Sequence, residues 1–235
     1  MHEPLGHQVR RGARTVRRLK AIEREKQLAA EAAAESVEDG MTLGLGSGST
    51  VARLLPALAG RRLDLRCVAT SPATERRARE LGLRVVPFDG LGAPSRLDLA
   101  IDGADQVAPS GWVVKGGGAA HTREKVVAAA ADRFVVIASS DKRVEQLGPP
   151  IPLELFEFGL AATLARLGVV ELRNVPRSPD GGVIADFTGA VDHPEALAAR
   201  LSAEPGVVEH SLFPPSLVSE VIVGHEGGVE RLSPP

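Results

Sequence analysis

Between Met41 and Ala138 short apolar runs alternate with segments of helical period, and this alternation restricts the possible folds more than any other feature of the chain. Met41 to Leu45, Leu65 to Ala69, Leu83 to Val86, Leu97 to Ile101 and Phe134 to Ala138 read as strands. Between them, Val51 to Leu58, Ala73 to Leu81 and Thr122 to Ala131 read as helices. An alanine-rich helix from Ala21 through Val37, closed by Gly40, precedes the first strand. Strands alternating with helices at short spacing build a mostly parallel sheet with helices on both faces, a Rossmann-like α/β arrangement. Right-handed crossovers then bring the loops that follow the strands to one edge.

At Gly148-Pro149-Pro150 the texture changes, because two prolines after a glycine continue neither a helix nor a ladder. Beyond it come a strand (Pro152 to Phe156), a helix (Gly159 to Leu167), two strands (Val169 to Asn174, Val183 to Phe187) around the Asp180-Gly181-Gly182 turn, a helix (Pro194 to Ala203) and a strand (Val207 to Leu212). That β-α-β-β-α-β order is the ferredoxin-like split unit. The last apolar run, Glu220 to Val223, is expected to return to the first sheet. The expected division is therefore a Rossmann-like domain over 1–148 and 219–235 and a smaller ferredoxin-like α+β domain over 149–218.

Composition bounds the partners. The 235 residues are 43% hydrophobic and carry a formal charge of −2, so the whole-molecule field favours neither nucleic acid nor an anionic membrane. No apolar run approaches the roughly 18 residues of a membrane span. The single Cys67 excludes an internal disulfide and a multi-cysteine metal site, and its apolar surroundings read as a buried, inert thiol. Arg10, Arg11, Arg14, Arg17 and Arg18 make the start of the chain basic, without the serines of a transit peptide or the apolar core of a secretory signal. Residues 1–20 are read as a flexible basic extension, and the cytoplasm as the compartment.

Three segments could carry chemistry. In Gly44-Leu45-Gly46-Ser47-Gly48-Ser49-Thr50, glycines let the backbone approach an anion, the following helix aims free amides at it, and three hydroxyls add donors. The same pattern also suits a plain strand-to-helix turn, and it matches neither the Walker loop nor the dinucleotide fingerprint. In Asp98-Leu99-Ala100-Ile101-Asp102-Gly103-Ala104-Asp105, two carboxylates follow a buried strand, at the edge where open α/β sheets hold ligands. They could divide acid and base work, hold Mg²⁺, or simply cap a turn; the nearby lysines make a protein cation the more natural counter-charge. In Lys115-Gly116-Gly117-Gly118-Ala119-Ala120-His121-Thr122-Arg123-Glu124-Lys125, the glycine run implies close backbone approach. Lys115 could neutralise an oxyanion. Glu124 could be a base, or could complement the dipole of the helix it opens. His121 reads as a packing or surface residue.

Taken together these blocks resemble ribose-5-phosphate isomerase of the A type. The loop, Thr70-Ser71 with Thr74, Ile101-Asp102-Gly103-Ala104-Asp105, Lys115 with its glycine run through Arg123-Glu124-Lys125, and Lys142 follow that family's signature, as do Pro152-Leu153-Glu154, Pro205-Gly206-Val207-Val208 and Leu212-Phe213. The resemblance covers the chain after about Glu25. It implies an aldose–ketose isomerase of the non-oxidative pentose phosphate branch that uses no cofactor and no metal. Glu124 would move a proton between C1 and C2, Asp102 would assist ring opening and oxygen protonation, Asp105 would bind sugar hydroxyls, and Lys115 would stabilise the enediolate. Ser47, Gly48, Ser49 and Thr50 would hold the phosphate with Lys26 and Lys142, and Gly116, Gly117 and Gly118 would line the substrate. A homodimer or homotetramer is implied. The chain departs from the family at Gln106 (Glu), His121 (Leu), Ser139 (Asp) and Ser47 (Thr), which puts substrate affinity in question more than the reaction. A silent sugar-phosphate sensor on the same scaffold is the rival reading, but it would not need Asp102, Asp105, Lys115 and Glu124 together. An aminosugar-phosphate deaminase or acyl transferase of related architecture is opposed by the glycine-lysine block.

Overall fold

A computed structural model describes the backbone of residues 5–235 and the side chains of residues 16–235. Helix α1 (Leu5–Ala34) begins sixteen residues before Ala21, so residues 5–20, read from sequence as a flexible extension, are helical. The Arg, Lys, Leu and Ala content of this segment favours helix. Val16, Leu19 and the neighbouring Arg17, Arg18 and Lys20 are exposed, while Arg10, Arg11 and Arg14 lie outside the described side chains.

Strand β1 (Thr42–Leu45) enters α2 (Gly48–Arg61), β2 (Arg66–Ala69) enters α3 (Pro72–Glu80), and β3 (Leu99–Gly103) follows a long connection. The run Leu83 to Val86 is not a strand: only Val85 bridges Cys67, and Pro87 stops further pairing. Two short strands unforeseen in the sequence, β4 (Gln106–Val107) and β5 (Val113–Val114), precede α4 (His121–Ala130) and β6 (Phe134–Ser139). Then come β7 (Ile151–Leu155), α5 (Leu160–Leu167), β8 (Val170–Leu172), β9 (Val183–Phe187), α6 (Pro194–Ala203), β10 (Val207–His210), β11 (Leu212–Phe213), β12 (Glu220–His225) and β13 (Gly228–Leu232).

The main sheet runs β13-β12-β6-β3-β1-β2, parallel except for the antiparallel edge strand β13, which sequence reading missed. As expected, β12 returns to this sheet beside β6. Leu43, Leu45, Ile101, Val135, Ile137 and Ile222 share one core with α1 and α2, and Ala100, Val136, Ala138 and Val223 share another with α4 and Phe213. Burial on both faces explains why these strands read as continuous apolar runs. The second sheet, β10-β7-β9-β8, is antiparallel and has the ferredoxin-like order. The run Val207 to Leu212 divides at Ser211: β10 stays in that sheet, while β11 joins β5 and β4 in a three-stranded ribbon. Ser211 is the pivot, its N–H donating to Pro152 O at 2.9 Å and its carbonyl accepting from Lys115 N at 3.2 Å.

Candidate active site

The C-terminal ends of β1, β3 and β6 meet over a cleft of about 140 Å³. Its lining brings together Lys26 from α1, Ser47, Gly48, Ser49 and Thr50 from the first loop, Asp105, Lys115, the three glycines 116–118, Glu124 from α4 and Lys142 after β6. Asp102 is the one candidate outside this lining: it lies beneath, 3% exposed, at the end of β3.

Local geometry explains each placement. After β1 the chain must pass over Asp102, and a Cβ on Gly46 would stand 1.9 Å from that carboxylate, so only glycine permits the crossing. Gly48, at φ +86, then turns into α2. Ser47 sits at the N-cap, yet its side chain makes no capping bond. Its hydroxyl donates to Glu124 Oε1 at 2.5 Å and its amide to Asp102 Oδ1 at 3.0 Å. Thus Ser47 joins the acidic cluster, and the free amides and the hydroxyls of Ser49 and Thr50 remain for an anion. The Thr70-Ser71-Thr74 block supports this loop from behind: Ser71 caps α3 through Thr74 N, and the Thr74 hydroxyl donates to Gly46 O at 2.9 Å.

Lys115 is the electrostatic centre. Its ammonium lies 2.8 Å from Asp102 Oδ2 and 3.4 Å from Glu124 Oε2, and it donates to Gly103 O at 2.5 Å. Burial alone would lower its pKa, but the two carboxylates outweigh that and raise it, so the ammonium stays charged. For Asp102 burial dominates, joined by repulsion from Glu124. Lys115 and the Ser47 amide only partly offset them, and the carboxyl is pushed up to about 7. Glu124 is 4% exposed, and its Oε2 is buried 3.4 Å from the Lys115 ammonium, without a hydrogen-bond donor of good geometry among the described residues. Asp105 is exposed and accepts from Gly117 N at 2.8 Å.

Among the described residues no three His, Cys, Asp or Glu side chains gather as a metal cluster. Between Asp102 and Glu124 the cation is Lys115. His121 is wholly buried, its Nε2 3.3 Å from Glu209 O, so it packs behind the glycine run and has no surface role. Lys125 turns away from the cleft to Glu209 at 2.7 Å. Gln106 exchanges two hydrogen bonds with the Gly148 backbone, its Nε2 donating to the carbonyl at 2.7 Å and its Oε1 accepting from the amide at 2.9 Å. A glutamate could not complete that exchange, so the departure has a local reason of its own. Ser139 is buried and donates to Asp141.

Two residues near the cleft escaped sequence reading. Glu25, next to Lys26, accepts from Ser140 N at 3.0 Å and Ser140 Oγ at 2.8 Å. Arg173, from the small sheet, donates to Gly116 O at 3.0 Å. Neither lies in a recognisable motif; both act through contacts between distant segments.

A Rossmann-like sheet edge that combines a glycine-serine anion loop with a buried carboxylate–lysine–carboxylate cluster defines an α/β protein equipped for acid–base chemistry on a small anionic ligand. Comparison with known proteins narrows this. The pattern of the ribose 5-phosphate isomerase A (phosphoriboisomerase A) family matches residues 66–228. The chain is 43% identical over 225 residues to ribose-5-phosphate isomerase A of Caulobacter sp. (strain K31), covering 89% of this chain and 98% of that one. It is 44% identical over 223 residues to the Halobacterium salinarum protein of the same name, covering 89% and 96%. The structure of ribose 5-phosphate isomerase A from Neisseria gonorrhoeae superposes with a TM-score of 0.85 at 32% identity, over 91% of this chain and 98% of that one. A D-ribose-5-phosphate isomerase in complex with phospho-erythronic acid gives 0.83 at 32% identity, over 90% and 99%. This chain belongs to the ribose 5-phosphate isomerase A family.

Proposed function

We propose that this chain interconverts D-ribose 5-phosphate and D-ribulose 5-phosphate by moving a proton between C1 and C2 through an enediolate. The observation that carries the reading is the Lys115 ammonium, buried and within 3.4 Å of both Asp102 and Glu124, at the floor of a cleft whose other end is a glycine-serine loop flanked by Lys26 and Lys142. Glu124 is the base. Its carboxylate, held at Oε1 by Ser47 and with Oε2 3.4 Å from Lys115, takes the proton from C2 and returns it to C1. A proton α to a carbonyl is weakly acidic, and the barrier falls when fixed positive charge faces the oxygen that becomes an oxyanion. Lys115 supplies that charge. Asp102 lies behind it, and its help in ring opening and oxygen protonation passes through the ammonium 2.8 Å away. Asp105 binds sugar hydroxyls, and the glycines 116–118 let the sugar lie against the backbone. Ser49, Thr50, the Gly48 amide, Lys26 and Lys142 hold the phosphate, whose binding energy positions the reacting carbons; Ser47 contributes mainly through Glu124.

The division of the chain into 1–148 with 219–235 and 149–218, a cytoplasmic location, and a homodimer or homotetramer belong to the same reading. They are supported by the break at Pro149-Pro150, the return of β12 and the family resemblance. A coupled assay of ribose 5-phosphate conversion tests the activity, with arabinose 5-phosphate as competitive inhibitor. Tight binding of the sugar phosphate without turnover would favour the silent sensor instead. Sedimentation of the full chain tests the oligomer.

A further inference from the structure

The turn at Gly116-Gly117-Gly118 is held partly by the small sheet. Arg173 follows β8 and continues its ladder, with its N–H on Ile184 O at 3.0 Å. Its Nε and Nη2 donate to Asp186 Oδ2 and Oδ1, both at 2.6 Å. This two-pronged pairing fixes the guanidinium plane, and the two side chains are only 16% and 18% exposed. Nη1 is left to donate to Gly116 O at 3.0 Å, with Gly117 O at 3.4 Å.

The turn has one hydrogen bond of its own, from Ala119 N–H to Gly116 O at 3.0 Å, and Arg173 adds a second donor to that carbonyl. Gly116 has φ +83, and Ala119 has φ +62, a left-handed conformation that costs a residue with a side chain about 1 kcal/mol. The Gly116 carbonyl and the Gly117 N–H belong to one planar trans peptide, so they point in opposite directions. Arg173 binds the carbonyl end, and Asp105 Oδ2 accepts from the N–H end at 2.8 Å. A cation on the carbonyl polarises the peptide and strengthens its N–H as a donor.

We propose that Arg173 is a positioning residue for the substrate cleft: through the Gly116–Gly117 peptide it fixes the Asp105 carboxylate, so the small sheet sets the geometry at the sugar-hydroxyl end. The inference rests on the reading of the cleft given above. Asp186 orients the guanidinium, and Arg173 itself touches no reacting atom.

The test uses the full chain with Arg173→Ala, Arg173→Lys and Asp186→Asn. Kinetics are measured alongside calorimetric binding of phospho-erythronic acid and displacement of that ligand by inorganic phosphate. Arg173→Ala is expected to lower kcat/KM and the affinity for phospho-erythronic acid by about ten-fold or more, the scale of one charge-assisted hydrogen bond. Inorganic phosphate, which meets only the other end of the cleft, should bind within about two-fold of wild type. Arg173→Lys should resemble Arg173→Ala, because an ammonium cannot serve Asp186 and Gly116 in one plane. Millimolar guanidinium should restore part of the activity of Arg173→Ala. Equal loss of affinity for both probes would mean that Arg173 only supports the fold, and a folded, fully active Arg173→Ala would also overturn the inference. If that variant does not fold, Asp186→Asn keeps the guanidinium and frees its plane, with a smaller loss, about three-fold, again confined to phospho-erythronic acid; equal affinities in Asp186→Asn and wild type would refute it. A wild-type chain inactive on ribose 5-phosphate would instead sink the functional reading, which the probe comparison separates from this one.

Discussion

The two ends of the cleft are built on opposite principles. At one end Asp102, Lys115 and Glu124 are each less than 5% exposed and are locked by one another and by Ser47. At the other, Gly48 and Ser49 are exposed, Thr50 and Lys142 half-buried, and the donors are backbone amides, hydroxyls and two lysines, of which Lys26 is paired with Glu23 at 2.7 Å. Burial magnifies electrostatic effects and excludes the rearrangement that water would require, which suits groups that must face a charge existing only during the reaction. An exposed glycine-serine loop suits a group whose charge does not change in the course of the reaction. The difference teaches where substitutions should act: turnover at the buried end, affinity at the open one.

Glu124→Gln should break the comparison most severely. The amide keeps the Ser47 bond and the shape but cannot take the proton, so kcat should fall by about three orders of magnitude or more while KM changes little. Steady-state kinetics check this, and an unchanged kcat would remove Glu124 from proton transfer.

Asp102→Asn comes next, because it alters the charge balance around Lys115 without opening the cleft. Wild-type kcat/KM should show an inflection near pH 7, where the Asp102 carboxyl changes charge, and the variant should lose it along with about two orders of magnitude in kcat. Stability gives an independent reading. The folded-state pKa lies above the ordinary value of 3.8, so the folded chain holds this proton more tightly than the unfolded one. Its contribution is fully present below the unfolded pKa and is lost as pH rises from about 4 to about 7. Tm in Asp102→Asn should therefore decline less across that window than in wild type. An identical decline would show that the carboxyl does not titrate there.

Lys142→Ala acts at the open end and should raise KM about ten-fold with kcat within about two-fold, as expected for one partly exposed cation on a phosphate. A large loss of kcat at constant KM would place Lys142 beside the reacting carbons.

The same contrast decided what could be read from sequence. The buried end was legible because each member stands at a local landmark: Asp102 at the close of the apolar run forming β3, Lys115 before three glycines, Glu124 in the first turn of α4. The Rossmann-like sheet was legible for the same reason, since periodicity is local. Strands β4, β5 and β11 are two residues long, and what makes them strands is a partner elsewhere in the chain. Leu83 to Val86 erred in the other direction, with apolar character but one bridging residue. That residues 5–20 are helical was not legible, because their arginines signal surface charge as readily as helix propensity. Glu25 and Arg173 were invisible in principle: Glu25 meets Ser140 across 115 positions, and Arg173 meets Gly116 across 57.

Glu25 supplies the finest test. It is 8% exposed, and both of its bonds to Ser140 end on a single oxygen, Oε2. It thereby ties the segment that carries Lys142 to the helix that carries Lys26. Removing the acceptor leaves the Ser140 amide and hydroxyl to find water and loosens both lysines together, at a cost of roughly 1 kcal/mol, or about five-fold in KM. Glu25→Ala should show that rise with kcat unchanged. Glu25→Gln presents a carbonyl oxygen able to accept both bonds, so it should restore KM to within about two-fold if the hydrogen bonds matter and the charge does not. If Glu25→Gln behaves like Glu25→Ala, the carboxylate acts through its charge on Lys26 and Lys142, and the open end of the cleft is electrostatically tuned after all, as the buried end is.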